Sequence, residues 1–254
     1  TNSYAKQLQN SIEKIDQLSL VIARVADAGQ NRGMQIFRDL PAYNWFNPLL
    51  IDRHGIVQSA RTPGPIGESV ADLRFFRNHV ESRSTELKIN PLEPGVGDFS
   101  GKQVVRFSRR INDAKGQFAG VVTISMLPDQ LTELGDVIAL SQGDVVGIKY
   151  SNGSTLLRHD IGHEFSANDL DLLNRPDVKQ HFSEIRVPGD LMYVGWATLD
   201  NYPLEAVIAV SHKNIMRPFN ETSDLYNLLQ AAGSGLILFL CMTGAWFQSR
   251  RDAR

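Results

Sequence analysis

Cysteine is almost missing: Cys241 stands alone among 254 residues, so no disulfide can form within the chain. That absence leaves the redox compartment open, because many periplasmic domains do without disulfides. A basic surplus is missing too. Lys and Arg number 26 against 28 Asp and Glu, giving a net charge of -2 and a pI near 6.3, which is not the profile of a nucleic-acid binder. Motifs of catalysis are also lacking. There is no G-x-S-x-G elbow, H-E-x-x-H helix, P-loop or G-x-G-x-x-G turn, so no catalytic residue, cofactor or metal is expected, and the chain reads as a non-enzyme. What is present is a hydrophobic fraction of 42% with 21% charged residues, the balance of a chain that folds around cores.

Charge is absent from one long run, LLQAAGSGLILFLCMTGAWF, Leu228 to Phe247. As a helix rising about 1.5 Å per residue it would extend roughly 30 Å, the thickness of a bilayer's hydrocarbon core. The alternative is a helix buried in a globular core. Arg250, Arg251 and Arg254 follow at once, next to Trp246 and Phe247, while Glu221 and Asp224 precede the run. The positive-inside rule then puts 248–254 in the cytoplasm and 1–224 outside, with 225–247 in the lipid bilayer of a bacterial inner membrane. Ala231 and Gly235 have the small-residue spacing that lets two such helices approach. The chain opens on Thr1 rather than methionine, so an export signal or anchor is expected upstream.

Periodicity organises the rest. Leu8, Ile12, Ile15, Leu18, Ile22 and Val25 recur at helical steps, predicting a long amphipathic helix over 3–28 that stops at Gly29. Its stripe either docks on its own domain or forms the seam of a homodimer. Short strands follow: 47–51 and 56–60 around Asp52-Arg53-His54-Gly55, then a helix over 69–82 capped by Ser69 or Asp72. The segments KQVVRFSRRI and QFAGVVTISM form a hairpin joined by Asn112 to Gly116, and LPDQLTELGDVI a short helix. A similar order repeats with a hairpin turning at Asn152-Gly153, a helical or looped 163–182, and strands in EIRVPGDLMYVGWATL and PLEAVIAVS. The expected architecture is α+β: a long helix (1–35), two modules on antiparallel sheets (36–135 and 136–224), a membrane helix (225–247) and a cytoplasmic tail (248–254).

Two constellations invite a metal. His159 and His163 stand four apart with Asp160 and Glu164 nearby, but Gly162 makes the segment a turn and no third ligand is evident. The acidic run NDLDLLNRPD lacks the oxygen-ligand spacing of an EF-hand loop.

The residues Asp52-Arg53-His54-Gly55, Asp72-Leu73-Arg74-Phe75-Phe76 with His79, and Ser108 through Val122 resemble motifs of the extracytoplasmic double Cache family. These are tandem PAS-like sensor modules of bacterial signalling proteins, and the likeness is to the branch on diguanylate cyclases and histidine kinases. Asn152-Gly153 and Tyr202-Pro203-Leu204 carry it more weakly into the second module.

The resemblance implies a small-molecule ligand between the first module's sheet and its helix-loop. Arg74, Phe75, Phe76 and His79 would come from the loop, and Arg106, Ser108, Arg110 and Ser125 from the strands. Period-two alternation puts Arg106, Ser108 and Arg110 on one face and Phe107 and Arg109 on the other. Either arginine can instead be structural, pinned to Asp72 or Asp113. Amino-acid-sensing relatives carry an aspartate where Ser125 stands, so a carboxylate or other anion is expected rather than an α-amino acid. The function this implies is a periplasmic sensor controlling a cytoplasmic output, with a diguanylate cyclase (c-di-GMP signalling) first, a histidine kinase second and a chemoreceptor third. A membrane-tethered enzyme or adaptor is the different-class alternative.

Overall fold

A computed structural model describes residues 1–27, 46–133, 140–151, 155–160, 182–187 and 189–252. The expected turn at Asn152-Gly153, His163, Glu164, the acidic run, Gly29, Arg254 and the module boundaries at 35/36 and 135/136 lie outside the described residues.

The amphipathic stripe folds as α1, Asn2–Asp27, a single 26-residue helix. Its apolar face is spent within the chain. Leu8, Ile12 and Ile15 join a core cluster with residues of both halves, while Ile22 packs on Leu50, Ile111 and Val122. The helix thus docks on its own sheets, as the first of the two expectations had it.

Behind it stand two five-stranded antiparallel sheets. The first contains β1 (Asn47–Asp52), β2 (Val57–Ala60), β3 (Lys88–Pro94), β4 (Gln103–Asn112) and β5 (Phe118–Met126) in the order β2-β1-β5-β4-β3. Between β2 and β3 lies α2, Arg74–Glu81, and after β5 comes α3, Pro128–Glu133. The second sheet repeats the order with β6 (Val145–Tyr150), β7 (Thr155–Asp160), β8 (Phe182–Val187), β9 (Asp190–Thr198) and β10 (Leu204–Ser211), as β7-β6-β10-β9-β8.

Turn chemistry explains the first hairpin. The Asp52 carboxylate accepts the backbone N–H groups of His54 and Ile56 and the amide of Gln58, closing an Asx-type turn. Gly55 has φ +81°, and a Cβ there would stand 2.7 Å from the Ala71 backbone, so the glycine answers both a left-handed backbone and a close approach. Asp113 closes the β4–β5 turn in the same way, accepting from Lys115 and Gln117.

Two expectations need correction, and the membrane span expected at 225–247 is not shown. Neither Ser69 nor Asp72 caps α2: Leu73 occupies the N-cap with no side-chain bond, and Asp72 pairs with Arg77 at the surface instead. Arg158, His159 and Asp160 lie in β7 rather than in a turn, because Val145 to Lys149 of β6 offer them a ladder. Finally, β10 runs into α4, one 41-residue helix over His212–Asp252, yet no helix among the described residues is long and apolar enough to cross a membrane. The structure therefore does not bear out the span expected at 225–247. Along this helix Leu228, Leu229, Leu236, Ile237, Leu238, Phe239 and Met242 are all exposed.

Candidate functional site

The face of the first sheet covered by α2 is polar where a core would be apolar. Register places Asn47, Ser125, Arg106 and Asn90 in one row across β1, β5, β4 and β3. The next row is Leu49, Thr123, Ser108 and Lys88, and the next Ile51, Val121 and Arg110. Paired residues in neighbouring strands point to the same side, so these rows form one surface. Over it α2 presents Phe75, Phe76 and His79, all buried.

Alternation sorts the three arginines of β4. Arg109 points to the opposite face, where its guanidinium binds Asp16, the Ser19 hydroxyl (2.9 Å) and the Thr85 carbonyl, clamping α1 onto the sheet. Arg106 and Arg110 share the α2 face, as expected, but differ in what they do there. Arg110 is used up by structure. It donates to the Asn112 side chain (2.6 Å) and to the carbonyls of His79 and Ser82, the latter at 2.7 Å. Its Cζ lies 4.7 Å over the Phe118 ring, which meets Phe76 edge-on. Its acidity is raised first by burial and then by Arg83.

Arg106 is fully buried and not used up. Its Nη2 donates to the Pro94 carbonyl at 2.8 Å, and its Cζ lies 4.2 Å over Phe75. Its Nε is 2.8 Å from Glu93 Oε1, an ion-pair distance without hydrogen-bond alignment, and its Nη1 has no hydrogen-bond partner among the described residues. Thr123 Oγ1, Asn47 Oδ1 and His79 Nδ1 are likewise buried with no hydrogen-bond partner among the described residues. Neither Asp72 nor Asp113, the carboxylates anticipated for these arginines, reaches Arg106 or Arg110; Glu93 and backbone carbonyls take their place.

His79 Nε2 is 2.9 Å from Ser108 Oγ, to which Asn90 also donates at 3.1 Å. Burial, aided by Lys88, Arg110 and Arg109, lowers the His79 imidazole to about 4, so it is neutral at physiological pH. Lys88 donates to the Asn78 carbonyl and is itself lowered by burial and Arg110. The Glu93 carboxyl is raised by burial, against the pull of Arg106 and Arg74. Arg74, expected at the site, is exposed at the start of α2 and acts on Glu93 only through its charge. Ser125 is buried in the Arg106 row.

The sequence reading missed Glu93, Asn47, Thr123 and Asn90. Asn47 and Thr123 were accessible through register, since β1 pairs with β5. Glu93 and Asn90 lie on β3, whose prolines concealed a strand. Among the described residues no group of three His, Cys, Asp or Glu side chains converges for a metal.

No protein-family model and no curated protein matches the chain. Solved structures do. The extracellular domain of rpHK1S-Z16, whose name marks it a histidine kinase, aligns with a TM-score of 0.67 at 18% identity over 85% of this chain and 92% of that one. The two share one fold, the double Cache arrangement. The ligand-binding domain of the Pseudomonas fluorescens chemoreceptor CtaA, in complex with L-alanine, aligns at 0.61 and 17% identity over 82% of this chain and 92% of that one. The ligand-binding domain of the Pseudomonas aeruginosa PAO1 amino acid chemoreceptor PctC, in complex with GABA, aligns at 0.58 and 16% over 82% and 94%.

Proposed function

We propose that this chain is the extracytoplasmic ligand-sensing region of a signalling protein, and that its ligand is anchored by Arg106 on the α2-covered face of the first sheet. The observation that supports this is the gathering there of buried atoms with no hydrogen-bond partner among the described residues: Arg106 Nη1, Thr123 Oγ1, Asn47 Oδ1 and His79 Nδ1. Each such atom costs about 1–3 kcal/mol when nothing meets it. A face that only packed would not accumulate them.

The charges narrow the ligand's chemistry. Glu93 already neutralises Arg106, so a simple anion would set a second negative charge beside a buried carboxylate. A small molecule carrying both a carboxylate and an ammonium meets both groups: Arg106 and Thr123 take the carboxylate, Glu93 and Asn47 the ammonium. Glu93 thus supplies the acid that the serine at position 125 seemed to deny, and zwitterions of the kind named with CtaA and PctC replace the bare anion as the favoured class. Phe75, Phe76 and Ser125 lie on the same covered face, while Ser108, His79 and Arg110 hold its frame.

The rest of the reading follows from α4. Its 20 charge-free residues and the exposed leucines along them support anchoring in the inner membrane of a bacterium, with 1–224 outside and the modules at 36–135 and 136–224. A homodimer through α4 at Ala231 and Gly235, and a cytoplasmic output such as a diguanylate cyclase, complete the proposal.

Titration of the detergent-solubilised chain with L-alanine, L-serine, GABA, acetate and succinate, followed by thermal shift, tests the site. A ligand at a hundredfold excess over Kd adds about 2.7 kcal/mol, a rise of several degrees. The expected result is such a rise for at least one zwitterion and its loss in Arg106→Met. If all five leave the melting temperature unmoved, or the rise survives Arg106→Met, the site assignment is wrong.

A further inference from the structure

β3 belongs to both halves of the molecule. As the edge strand of the first sheet it pairs only with β4, and that ladder breaks between Asn90 and Glu93, where Pro91 has no N–H to donate. Toward the site, Asn90 reaches the Ser108 hydroxyl and Glu93 lies against Arg106 Nε. Toward the second sheet, the Tyr150 hydroxyl at the end of β6 donates to the Ile89 carbonyl at 2.6 Å. β7 packs along the same strand. Leu87 and Ile89 join the apolar cluster that holds Val146, Ile148, Leu156 and Leu157 of the second sheet. Three residues of chain, Asn90, Pro91 and Leu92, therefore separate the ion pair of the site from the hydrogen bond to the other sheet. The stretch between them lacks a continuous backbone ladder, which leaves it freer to move than a fully paired strand.

We propose that β3 is the relay by which events at Arg106 reach the second sheet: a change in the Glu93–Arg106 contact shifts the bulged 90–93 segment, and the Tyr150–Ile89 hydrogen bond carries that shift into β6. This rests on the Arg106 site proposed above, but only on its location and not on its ligand. The charged and titratable groups facing Glu93 are Arg106 from β4, Arg74 from α2 and Tyr150 from β6, so the second sheet contributes directly to the acid's surroundings. The Tyr150 phenol, pushed up to about 12 by burial and then by Glu93, keeps its proton and remains a donor. α1 offers a separate bridge, since Asp16 binds Arg109 and lies 3.5 Å from the Tyr202 hydroxyl. Arg109 faces away from the site, however, and that bridge does not touch Glu93.

The test needs no ligand. In the full chain in detergent, amide deuterium exchange is followed in peptides covering 88–126 and 145–160. Glu93→Gln is expected to change exchange in 145–150 by about threefold or more, and the same substitution in a Tyr150→Phe background to leave 145–150 as it is in Tyr150→Phe alone. Arg110→Gln, at the other end of the site face, is the control that perturbs 88–126 only. An effect of Glu93→Gln confined to 88–126, or one equally large without the Tyr150 hydroxyl, overturns the relay. Should Glu93→Gln lose its native circular dichroism, Glu93→Asp, which keeps the charge and withdraws it by one methylene, is read in the same peptides against the same outcomes. Because no ligand is added, the failure of every titration above would sink the ligand assignment without deciding this result, and the reverse holds too.

Discussion

Arg106 and Phe75 form a buried cation–π pair, the guanidinium carbon 4.2 Å from the ring centroid, and the ring belongs equally to the apolar cluster of Leu49, Ile51, Val57, Val70, Phe76 and Val121. The pair locks α2 to the sheet through one side chain with two roles, and substitution separates them. Phe75→Ala removes both the core volume and the cation's partner, with an expected cost of about 3–5 kcal/mol. Phe75→Leu keeps most of the volume and should lose about 1–2 kcal/mol. Denaturant unfolding of the two variants checks the order; equal losses would mean that the ring carries the whole effect and the volume none, and an unchanged Phe75→Leu would mean that the ring face contributes nothing to Arg106.

Glu93 and Arg106 are each tolerable in the interior because of the other. Arg106→Met strands a carboxylate that burial already pushes toward its neutral form, with an expected loss of about 3–5 kcal/mol. Adding Glu93→Gln should return about 1–2 kcal/mol of that, so the double variant is the more stable of the two. Denaturation midpoints of the four proteins in the cycle decide it. A double variant less stable than Arg106→Met would show that Glu93 is held by something other than this pair.

The architecture was legible because its signals are local and periodic. The stripe from Leu8 to Ile22, the alternation along β4 and β5, and the Asp-x-x-Gly turns are each written within fifteen residues. Alternation even divided Arg109 from Arg106 and Arg110 correctly. β3 was not legible, since Pro91 and Pro94 argue against a strand, and only its position at the sheet edge, bulged and paired on one side, lets it be one. The site's acid went with it. Glu93 meets Arg106 across a ladder irregularity, and no spacing rule predicts a partner whose register shifts between Asn90 and Glu93. The division of labour between Arg106 and Arg110 was equally hidden, because the carbonyls that occupy Arg110, those of His79 and Ser82, are backbone groups that every residue has.

Gly120 accounts for the glycine of the hairpin motif. Its φ is +155° and a Cβ there would stand 2.2 Å from the Ile51 carbonyl oxygen, at the end of the β1–β5 ladder, where Gly120 pairs with Asp52. Gly120→Ala must therefore push two central strands apart, with an expected cost of about 3 kcal/mol or more. Gly116→Ala, where a Cβ meets open space but φ is +76°, should cost only about 1 kcal/mol. The difference in melting temperature between the two variants measures the close approach separately from the backbone term.

His79 gives the fold a proton dependence of defined sign. Its ring is buried against Ser108 and lowered from 6.5 to about 4 in the folded chain, first by burial and then by Lys88, Arg110 and Arg109. Above pH 6.5 the imidazole is neutral in both folded and unfolded states and contributes no slope. Between 6.5 and 4 the unfolded chain takes up a proton that the folded chain refuses, so stability falls as the pH drops, by roughly 2–3 kcal/mol across the window. Below 4 both states are protonated and the term levels off. Glu93 works the other way, because a carboxyl raised by burial lets the folded chain bind its proton first. The His79 contribution is therefore read as a difference, with unfolding free energies of the native chain and of His79→Gln followed from pH 7 to pH 4. The variant should lose less stability over that range, its slope shallower by close to one proton. Parallel slopes would mean that His79 is charged in the folded chain, and that the α2-covered face holds one more cation than its hydrogen bonds indicate.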